Sequence, residues 1–297
     1  MKWFIPAKTF LVGEYAAVAG EPAILLTTSP CFELSFTENN TMQGIHPDSP
    51  AGQWWSHHRI DSCGLHWEDP YQGLGGLGAS SAQFLGAYLA SCHALQVTPD
   101  YSALLDAYYQ CAWNGEGLKP SGYDMISQSQ NRCVYIHKEQ KKVECYDWVF
   151  KDIAFLLVHS GQKLATHYHL RRAALPPLAQ LVATVQQARR AFLRINSEKL
   201  ICAINQYQKQ LEAFSLVAPH TIRYVNDFRR SKDILAAKGC GALGSDVLLL
   251  IVPGTCLSEK MESLGREGWT VLATSDNLYR DCPVMKNKPH KTLEILP

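Results

Sequence analysis

The stretch GLGGLGASSAQFLGAYL, residues 73–89, decides how this sequence is interpreted. Four of its first six letters are glycines, and two serines follow them. Glycine has no Cβ, so its backbone can turn tightly and approach a ligand closely. Ser80 and Ser81 are typical residues for a helix start, and the apolar residues after them recur at helical spacing. The stretch therefore predicts a glycine loop that opens onto a helix.

A glycine loop in front of a helix exposes unpaired N–H groups and a partial positive charge. These features suit a phosphate group. The stretch is not G-x-x-x-x-G-K-[ST], because no lysine follows the glycines, and it is not a clean G-x-G-x-x-G with an acidic residue about 20 positions later. By itself the loop is compatible with a phosphate site or with a structural turn.

Length and composition restrict the class of protein. A chain of 297 residues suits two domains, and 46% apolar and 19% charged residues are typical of a globular protein. A net charge of +1 favours neither nucleic acid nor an anionic membrane as a partner. The longest apolar run is interrupted by Asp246 and Pro253, so no membrane span is expected.

Cysteine usage and the N-terminal residues bear on location. The ten cysteines lie at long spacings without a C-x-x-C pair, which favours reduced thiols in a cytoplasmic protein and disfavours a zinc site. Lys8 and Glu14 occupy positions that a signal peptide would keep apolar, so we expect no signal peptide.

Strand and helix patterns occur in both halves of the chain, which indicates an α+β arrangement in each half. We expect strands over residues 2–26 (two segments and a turn), 31–36, 133–136, 142–149, 152–158 and 293–296, and after a second glycine turn near residue 241. We expect helices over residues 99–113, 175–193, 197–214 and 221–238. Ser197 is expected to cap its helix. Residues 37–72 show little periodicity and are interpreted as a loop with at most one strand.

Two charged residues lie where a structural or a functional role is possible. Lys8 interrupts an apolar segment and is either an edge residue whose stem lies along the surface or a cation directed into a site. Asp124 directly follows the turn Pro120-Ser121-Gly122 and is either a helix cap or a functional carboxylate.

Five segments, in order, resemble the GHMP kinase family of small-molecule kinases. PAKTFLVGEYAAVAGEPAI (residues 6–24) resembles the opening P-G-K-x-x-L-x-G-E-[HY]-x-V-x-x-G-x-P-A, and GLGASSA (76–82) resembles the phosphate loop G-L-G-S-S-A. PSGYD (120–124) is similar to S-G-x-D, SGQKLAT (160–166) to T-G-x-x-x-x-T, and CGALGSDVLLLI (240–251) to S-G-A-G-G-G-D-C. Together they span most of the chain.

The segments resemble the mevalonate and phosphomevalonate kinase branch in particular. Within it, Glu14-Tyr15, the aromatic residue before Asp124, and Asp246 are similar to bacterial phosphomevalonate kinases, whereas mevalonate kinases usually have Glu-His at the first site. Three features depart from the pattern. Ala79 stands where the family usually has a serine, Leu243 and Ser245 replace two glycines, and the stretch between the first and second segments is short.

The resemblance implies a two-domain α+β GHMP kinase fold. Residues 1–150 would form the N-terminal, ribosomal-S5-like domain that binds the nucleotide. Residues 151–297 would form the C-terminal, ferredoxin-like α/β sandwich.

The resemblance also implies an activity, transfer of the γ-phosphoryl group of ATP, with Mg²⁺, to mevalonate or phosphomevalonate in isoprenoid precursor synthesis. Homoserine or a sugar is an alternative acceptor, and an inactive metabolite-binding or partner protein is an alternative of another class. The implied partner is a small-molecule acceptor, with neither nucleic acid nor membrane, and a homodimer is possible.

The residue roles follow from the same resemblance. Asp124 would accept the proton of the acceptor or orient it, and Lys8 would stabilise the charge that develops at the phosphate. The implied nucleotide-binding residues are Gly75, Gly76, Gly78, Ala79, Ser80, Ser81, Gly241, Ala242 and Gly244. The implied substrate-binding residues are Glu14, Tyr15, Ser121, Gly122, Ser160, Thr166 and Asp246. The implied metal ligands are Ser80, Ser81 and Glu116, with Gln110 as an alternative to Glu116. Lys163, Arg171 and Arg172 are either partners for an anionic acceptor or a solvated helix face.

Overall fold

The computed structural model describes residues 1–58, 63–161, 176–244 and 246–281. Its strands are β1 (Lys2–Val12), β2 (Ala23–Thr37), β3 (Met42–Gln43), β4 (Gly64–Glu68), β5 (Cys133–His137), β6 (Lys142–Tyr146), β7 (Ile153–His159), β8 (Ala236–Cys240), β9 (Val247–Pro253) and β10 (Val271–Thr274). Its helices are α1 (Glu14–Val18), α2 (Pro50–His58), α3 (Ala79–Ala94), α4 (Tyr101–Ala112), α5 (Tyr123–Gln128), α6 (Leu178–Leu193), α7 (Ser197–Ala213), α8 (Pro219–Phe228) and α9 (Leu257–Arg266).

The first six strands form one sheet around β2. The order is β3-β4-β2-β5-β6, and β1 pairs with β2 along most of its length in antiparallel register. Lys8 lies opposite Thr27 in this register, near the middle of β1. The long β1–β2 pair thus places the first sequence segment beside β2, the central strand of the N-terminal sheet.

The remaining strands form a four-stranded antiparallel sheet in the order β10-β7-β9-β8. Numbered within the second half of the chain, this order is 4-1-3-2, with helices between the first and second strands and between the third and fourth. That is the arrangement expected of a ferredoxin-like sandwich. A boundary at residue 150 stays a prediction.

Both faces of the second sheet are buried, and its central strands β7 and β9 are apolar at every position except the terminal His159. Side chains of Phe155 and Leu249 belong to the main core, whereas Leu156 and Leu248 belong to a second core on the opposite face. Helices α6 and α7 contribute to the first core, and α8 and α9 contribute to the second. A continuous apolar run is typical of a strand buried on both faces.

Two groups of contacts tie the second half of the chain to the first sheet. The residues after β10 return to β2, where the Tyr279 amide donates to the Thr27 carbonyl at 2.9 Å. Arg189 of α6 donates to the buried Glu144 carboxylate of β6 at 3.0 Å through both Nε and Nη2. Burial raises the pKa of Glu144, but bonds to Tyr146, Lys142 and Arg189 outweigh it, so the net pKa is lowered.

The helix and strand expectations are confirmed in outline and wrong in four places. The turn expected within residues 2–26 contains helix α1, and residues 37–72 contain helix α2 besides β3 and β4. The helix expected over 221–238 ends at Phe228, because the following buried residues pair as strand β8. Asn196 rather than Ser197 caps α7, through Oδ1 and the Lys199 amide at 2.8 Å. The strand expected over 293–296 lies outside the described residues.

Helix α3 also begins one residue earlier than expected, at Ala79, with Gly78 as its N-cap. Within the described ranges, no helix is both long and apolar enough to cross a membrane. The cytoplasmic location and the homodimer stay predictions.

Candidate active site

The glycine loop lies at the N-terminus of α3, as the sequence predicts. Gly78 has φ 82°, in the left-handed region that favours glycine, and lacks any side chain that could cap the helix. Ser80 is exposed in the first turn of the helix. The Ser81 hydroxyl is buried instead, 2.7 Å from Oε1 of Gln128. The loop therefore presents a free helix terminus with one accessible hydroxyl.

Lys8 packs directly against this loop. Its amide donates to the Leu77 carbonyl at 2.9 Å. A Cβ on Gly78 would lie 2.8 Å from both Cγ and Cε of Lys8, so the absence of a side chain at Gly78 leaves the space that the lysine stem occupies. The lysine side chain is 9% exposed. The structure thus excludes the alternative of a surface edge residue.

Asp124 is brought to Lys8 from a distant part of the chain. It is the second residue of α5, and Gly122, with φ 76°, is the N-cap. Asp124 Oδ2 lies 3.1 Å from Lys8 Nζ, and the aspartate side chain is 36% exposed. Asp124 is therefore not the helix cap. A buried ammonium and a partly exposed carboxylate meet beside the glycine loop.

The third glycine segment closes on the first loop through Asp246. A Cβ on Gly76 would lie 2.7 Å from the Asp246 Cβ, and one on Gly241 would lie 3.1 Å from Asp246 Oδ2. The Ser160 amide donates to the Asp246 carbonyl at 3.2 Å. Three segments that are far apart in sequence therefore converge around one aspartate.

Glu14, the first residue of α1, forms an ion pair with the second sheet. Its Oε1 pairs with Nζ of Lys238 in β8, and the lysine side chain is fully buried. Burial lowers the pKa of Lys238, but the Cys240 thiol and Glu14 outweigh it, so the net pKa is raised. Burial also raises the pKa of Cys240 to about 11. The pair holds β8, which leads into the third glycine segment, against the N-terminus of α1.

Tyr15 makes a second link to the third segment. The Leu243 amide donates to its hydroxyl at 3.3 Å, and burial raises the pKa of Tyr15 to about 12. Leu243 has φ 53°, a left-handed conformation that costs a leucine about 1–2 kcal/mol relative to glycine. Leu243 therefore adopts the left-handed backbone conformation that the family's glycine would allow.

Some predicted site residues lie apart from this cluster or outside the described residues. Glu116 is exposed in the turn after α4, and its amide donates to Oδ1 of Asn114 at 3.1 Å. Ser121 and Gly122 lie in the turn that precedes Asp124. The predicted residues outside the described ranges are Lys163, Thr166, Arg171, Arg172 and Ser245.

Sequence reasoning missed two residues of the site. Gln128 donates to the carbonyls of Pro6 and Gly78 at 3.0 and 3.1 Å, and so joins α5 to β1 and the glycine loop. It lies four residues after Asp124, on the same face of α5, and that spacing is a usable signal. Lys238 is the other residue, a lysine within a small, apolar strand segment.

The donor set bears on magnesium. Among the described residues, no group of three or more His, Cys, Asp or Glu side chains could hold a metal ion. The hydroxyl of Ser80 is accessible at the helix terminus, whereas Ser81 is engaged with Gln128. A hydroxyl oxygen such as that of Ser80 is the type of ligand that Mg²⁺ prefers.

No protein-family model matches the chain, and no curated protein matches its sequence. Solved structures do match. The mevalonate kinase of Methanococcus jannaschii is 16% identical, with a TM-score of 0.72, over 95% of this chain and 98% of that one. The Streptococcus pneumoniae phosphomevalonate kinase in complex with phosphomevalonate and AMPPNP is 14% identical, with a TM-score of 0.72, over 92% and 99%.

A galactokinase of Lactococcus lactis complexed with galactose is 11% identical, with a TM-score of 0.71, over 91% of this chain and 92% of that one. All three proteins are GHMP kinases. The similarity covers both sheets, and it confirms the two-domain α+β GHMP kinase fold that the five sequence segments predict.

Proposed function

We propose that this protein is an ATP-dependent kinase of a small acidic molecule, with mevalonate or phosphomevalonate as the acceptor. The observation that carries the proposal is the Lys8–Asp124 pair, 3.1 Å apart, beside Gly78 at the N-terminus of α3. A helix terminus that binds phosphate, next to one ammonium and one carboxylate, supplies the groups that phosphoryl transfer needs.

In the proposed reaction, the acceptor oxygen forms a bond to the γ-phosphorus while the bond from that phosphorus to the β,γ-bridging oxygen breaks. With a hydroxyl acceptor such as mevalonate, the partly exposed Asp124 carboxylate accepts the hydroxyl proton. With phosphomevalonate the attacking phosphate oxygen brings no hydroxyl proton, and Asp124 orients the acceptor instead. Lys8 stays in contact with the loop and stabilises the negative charge on the transferred group. Neither residue forms a covalent bond to the phosphoryl group.

The nucleotide phosphates are assigned to the amides of the glycine loop and the first turn of α3. The close packing at Gly76 and Gly78 leaves no room for a Cβ, so these loop positions require glycine. Ser80 is the hydroxyl available to Mg²⁺, which would supply charge neutralisation at the phosphates. Positioning and charge are the main contributions expected of the protein in this chemistry.

Two observations support the acceptor. The solved structures with this fold include mevalonate and phosphomevalonate kinases, and the sequence has Glu14-Tyr15 in the first segment. The galactokinase with the same fold makes a sugar the main competing acceptor.

The experiment is a panel of acceptors with Mg²⁺-ATP, namely mevalonate, phosphomevalonate, homoserine and galactose, with ADP release and phosphorylated product both measured. We expect saturable turnover with mevalonate or phosphomevalonate. Turnover with only homoserine or galactose would contradict the acceptor assignment but would still support the kinase activity. ATP hydrolysis that is independent of every acceptor would contradict both.

A second candidate is a metabolite-binding protein with this fold and no catalysis. It is favoured by Glu116, which lies exposed beside Asn114 and does not contact the Lys8–Asp124 pair. Saturable binding of an acceptor by calorimetry, without any turnover in the same panel, would establish this candidate instead.

A further inference from the structure

Lys138 lies just after β5 and makes contacts with both sides of the turn that precedes Asp124. Its Nζ donates to the Ser121 carbonyl and to the Tyr109 hydroxyl, each at 2.9 Å. Its backbone amide donates to the Tyr123 hydroxyl at 3.0 Å. Ser121 and Tyr123 flank Gly122, so one lysine holds the residues on each side of the helix cap.

The turn that Lys138 holds is tightly constrained. Gly122 has φ 76°, and a Cβ there would lie 2.8 Å from the Tyr109 hydroxyl and from Cδ2 of Leu105. The Tyr109 hydroxyl also lies 3.2 Å from the Ser121 carbonyl. Lys138, Tyr109 and the Ser121 carbonyl therefore form a closed hydrogen-bonded group directly under the first turn of α5.

The lysine is in an unusual environment for a charged residue. It is half-buried, and no carboxylate of the described residues lies within 4.0 Å of its Nζ. Burial lowers the pKa of Lys138, and Glu139 only partly offsets this effect. Half-burying a lysine without an ion pair costs free energy of folding. The hydrogen bonds from its ammonium group to the Tyr109 hydroxyl and the Ser121 carbonyl therefore indicate a specific role.

We propose that Lys138 is a positioning residue that fixes the Ser121–Tyr123 turn and thereby holds Asp124 at Lys8. This inference rests on the proposed kinase function. Lys138 acts through the backbone, because its ammonium group contacts the Ser121 carbonyl and the Tyr109 hydroxyl and not the Asp124 carboxylate. Without it, the Ser121 carbonyl and the Tyr109 hydroxyl lose their shared cation, and the cap of α5 is held by weaker bonds.

The kinetic test is a double-mutant cycle between Lys138→Met and Asp124→Asn. In the otherwise wild-type enzyme we expect Lys138→Met to lower kcat by about 10²-fold, the cost of a small misplacement of a catalytic group, with KM for ATP changed less than about threefold. In the Asp124→Asn background it should lower kcat by less than about twofold, because both changes act through the same carboxylate. Equal losses in both backgrounds would overturn the proposal.

The control and a second variant guard against nonspecific effects. Lys141 lies in the same hairpin at an exposed position, and the control variant Lys141→Met is expected to leave kcat unchanged. Tyr109→Phe removes the hydroxyl that Lys138 contacts and keeps the ring, and should reproduce part of the loss if Lys138→Met fails to fold. A Tyr109→Phe enzyme with wild-type kcat would contradict the role of the hydrogen-bonded group.

Hydrogen exchange separates this proposal from the kinase assignment. The Ile126 amide donates to the Gly122 carbonyl at 3.1 Å, so its protection reports on the first turn of α5. We expect Lys138→Met to accelerate its exchange by about tenfold or more, while the exchange of α7 amides is unchanged. Unchanged protection would overturn the positioning role even if the protein is a kinase. Faster exchange would support it even if every acceptor fails.

Discussion

At the scale of single residues, the site depends on pairs that the chain brings together from far apart. Lys8 and Asp124 are separated by more than a hundred positions, yet their charged atoms lie 3.1 Å apart. Beside this pair, the Ser81 hydroxyl donates to Oε1 of Gln128 at 2.7 Å. These contacts fix the side chains before any ligand binds, and this preorganisation is what a phosphoryl-transfer site requires.

The first prediction concerns Asp124. Asp124→Asn removes the proton acceptor, and we expect turnover to fall by about 10²–10⁴-fold while ATP affinity changes only a few-fold. Steady-state kinetics with the best acceptor and calorimetric titration of ATP measure the two quantities. Asp227→Asn is the matched control, since it also removes one ion pair, that with Arg230 on the surface of α8. Turnover within about tenfold of wild type would show that Asp124 is not the base.

The second prediction compares two glycines with the same backbone conformation. Gly78 and Gly73 have φ 82° and 83°, but a Cβ on Gly78 would clash with Lys8, whereas nothing lies within 4 Å of one on Gly73. We expect both alanine variants to lose about 1 kcal/mol of stability from the left-handed φ. Only Gly78→Ala should also lower kcat/KM by more than about tenfold, because Lys8 must move. Equal kinetic effects would contradict the close-packing argument.

At the scale of elements, helix termini decide the geometry of the site. Helices α3 and α5 both begin after a left-handed glycine without a side-chain cap, and each points its first turn towards the Lys8 ammonium. Helix α7, away from the site, has an ordinary cap from Asn196. The uncapped terminus of α3 leaves amide donors available to a ligand, whereas the first amide of α5, that of Tyr123, already donates to the Ser121 hydroxyl at 3.2 Å.

The third prediction tests the cap of α7. Asn196→Ala should lower the free energy of unfolding by about 1 kcal/mol, because the Lys199 amide loses its acceptor. Denaturant unfolding followed by circular dichroism measures the change. Ser197→Ala should cost less, since the Ser197 hydroxyl caps no amide of α7 and bonds Asp152 at an exposed position. The reverse order would restore Ser197 as the cap.

At the scale of the whole molecule, buried polar contacts join the two halves of the chain. Glu14 and Lys238 form one such contact near the site, and Glu144 and Arg189 form another away from it. Glu14 Oε2 is buried without a hydrogen-bond partner. The third glycine segment is therefore positioned over the first loop by a charged pair that carries an unsatisfied oxygen.

The fourth prediction concerns that pair. Lys238→Met leaves the Glu14 carboxylate buried alone and should lower the free energy of unfolding by about 3–5 kcal/mol. Combining it with Glu14→Leu should recover most of the loss, because both charges and the unsatisfied oxygen are then removed. Chemical denaturation of the single and double variants measures this coupling. Additive losses in the free energy of unfolding would mean that the two residues contribute independently to the stability of the protein.

The sequence by itself determined the class of fold and the residues at its centre. Glycines in a loop before a helix and a continuous apolar strand near residue 250 depend on local backbone rules, which a sequence shows directly. The five ordered segments added the fold class through their resemblance to a known family. The same rules failed where burial decided the outcome: residues 236–238 are predicted as the end of a helix, but they are buried and belong to strand β8.

Only the tertiary structure decided which polar groups meet. It brought Asp124 to Lys8 instead of using it as a helix cap. It also paired Glu14 with Lys238 and placed the Lys138 ammonium group against the Ser121 carbonyl. No spacing in the sequence encodes these contacts, because each joins strands and helices whose register and packing are set by the two cores as a whole.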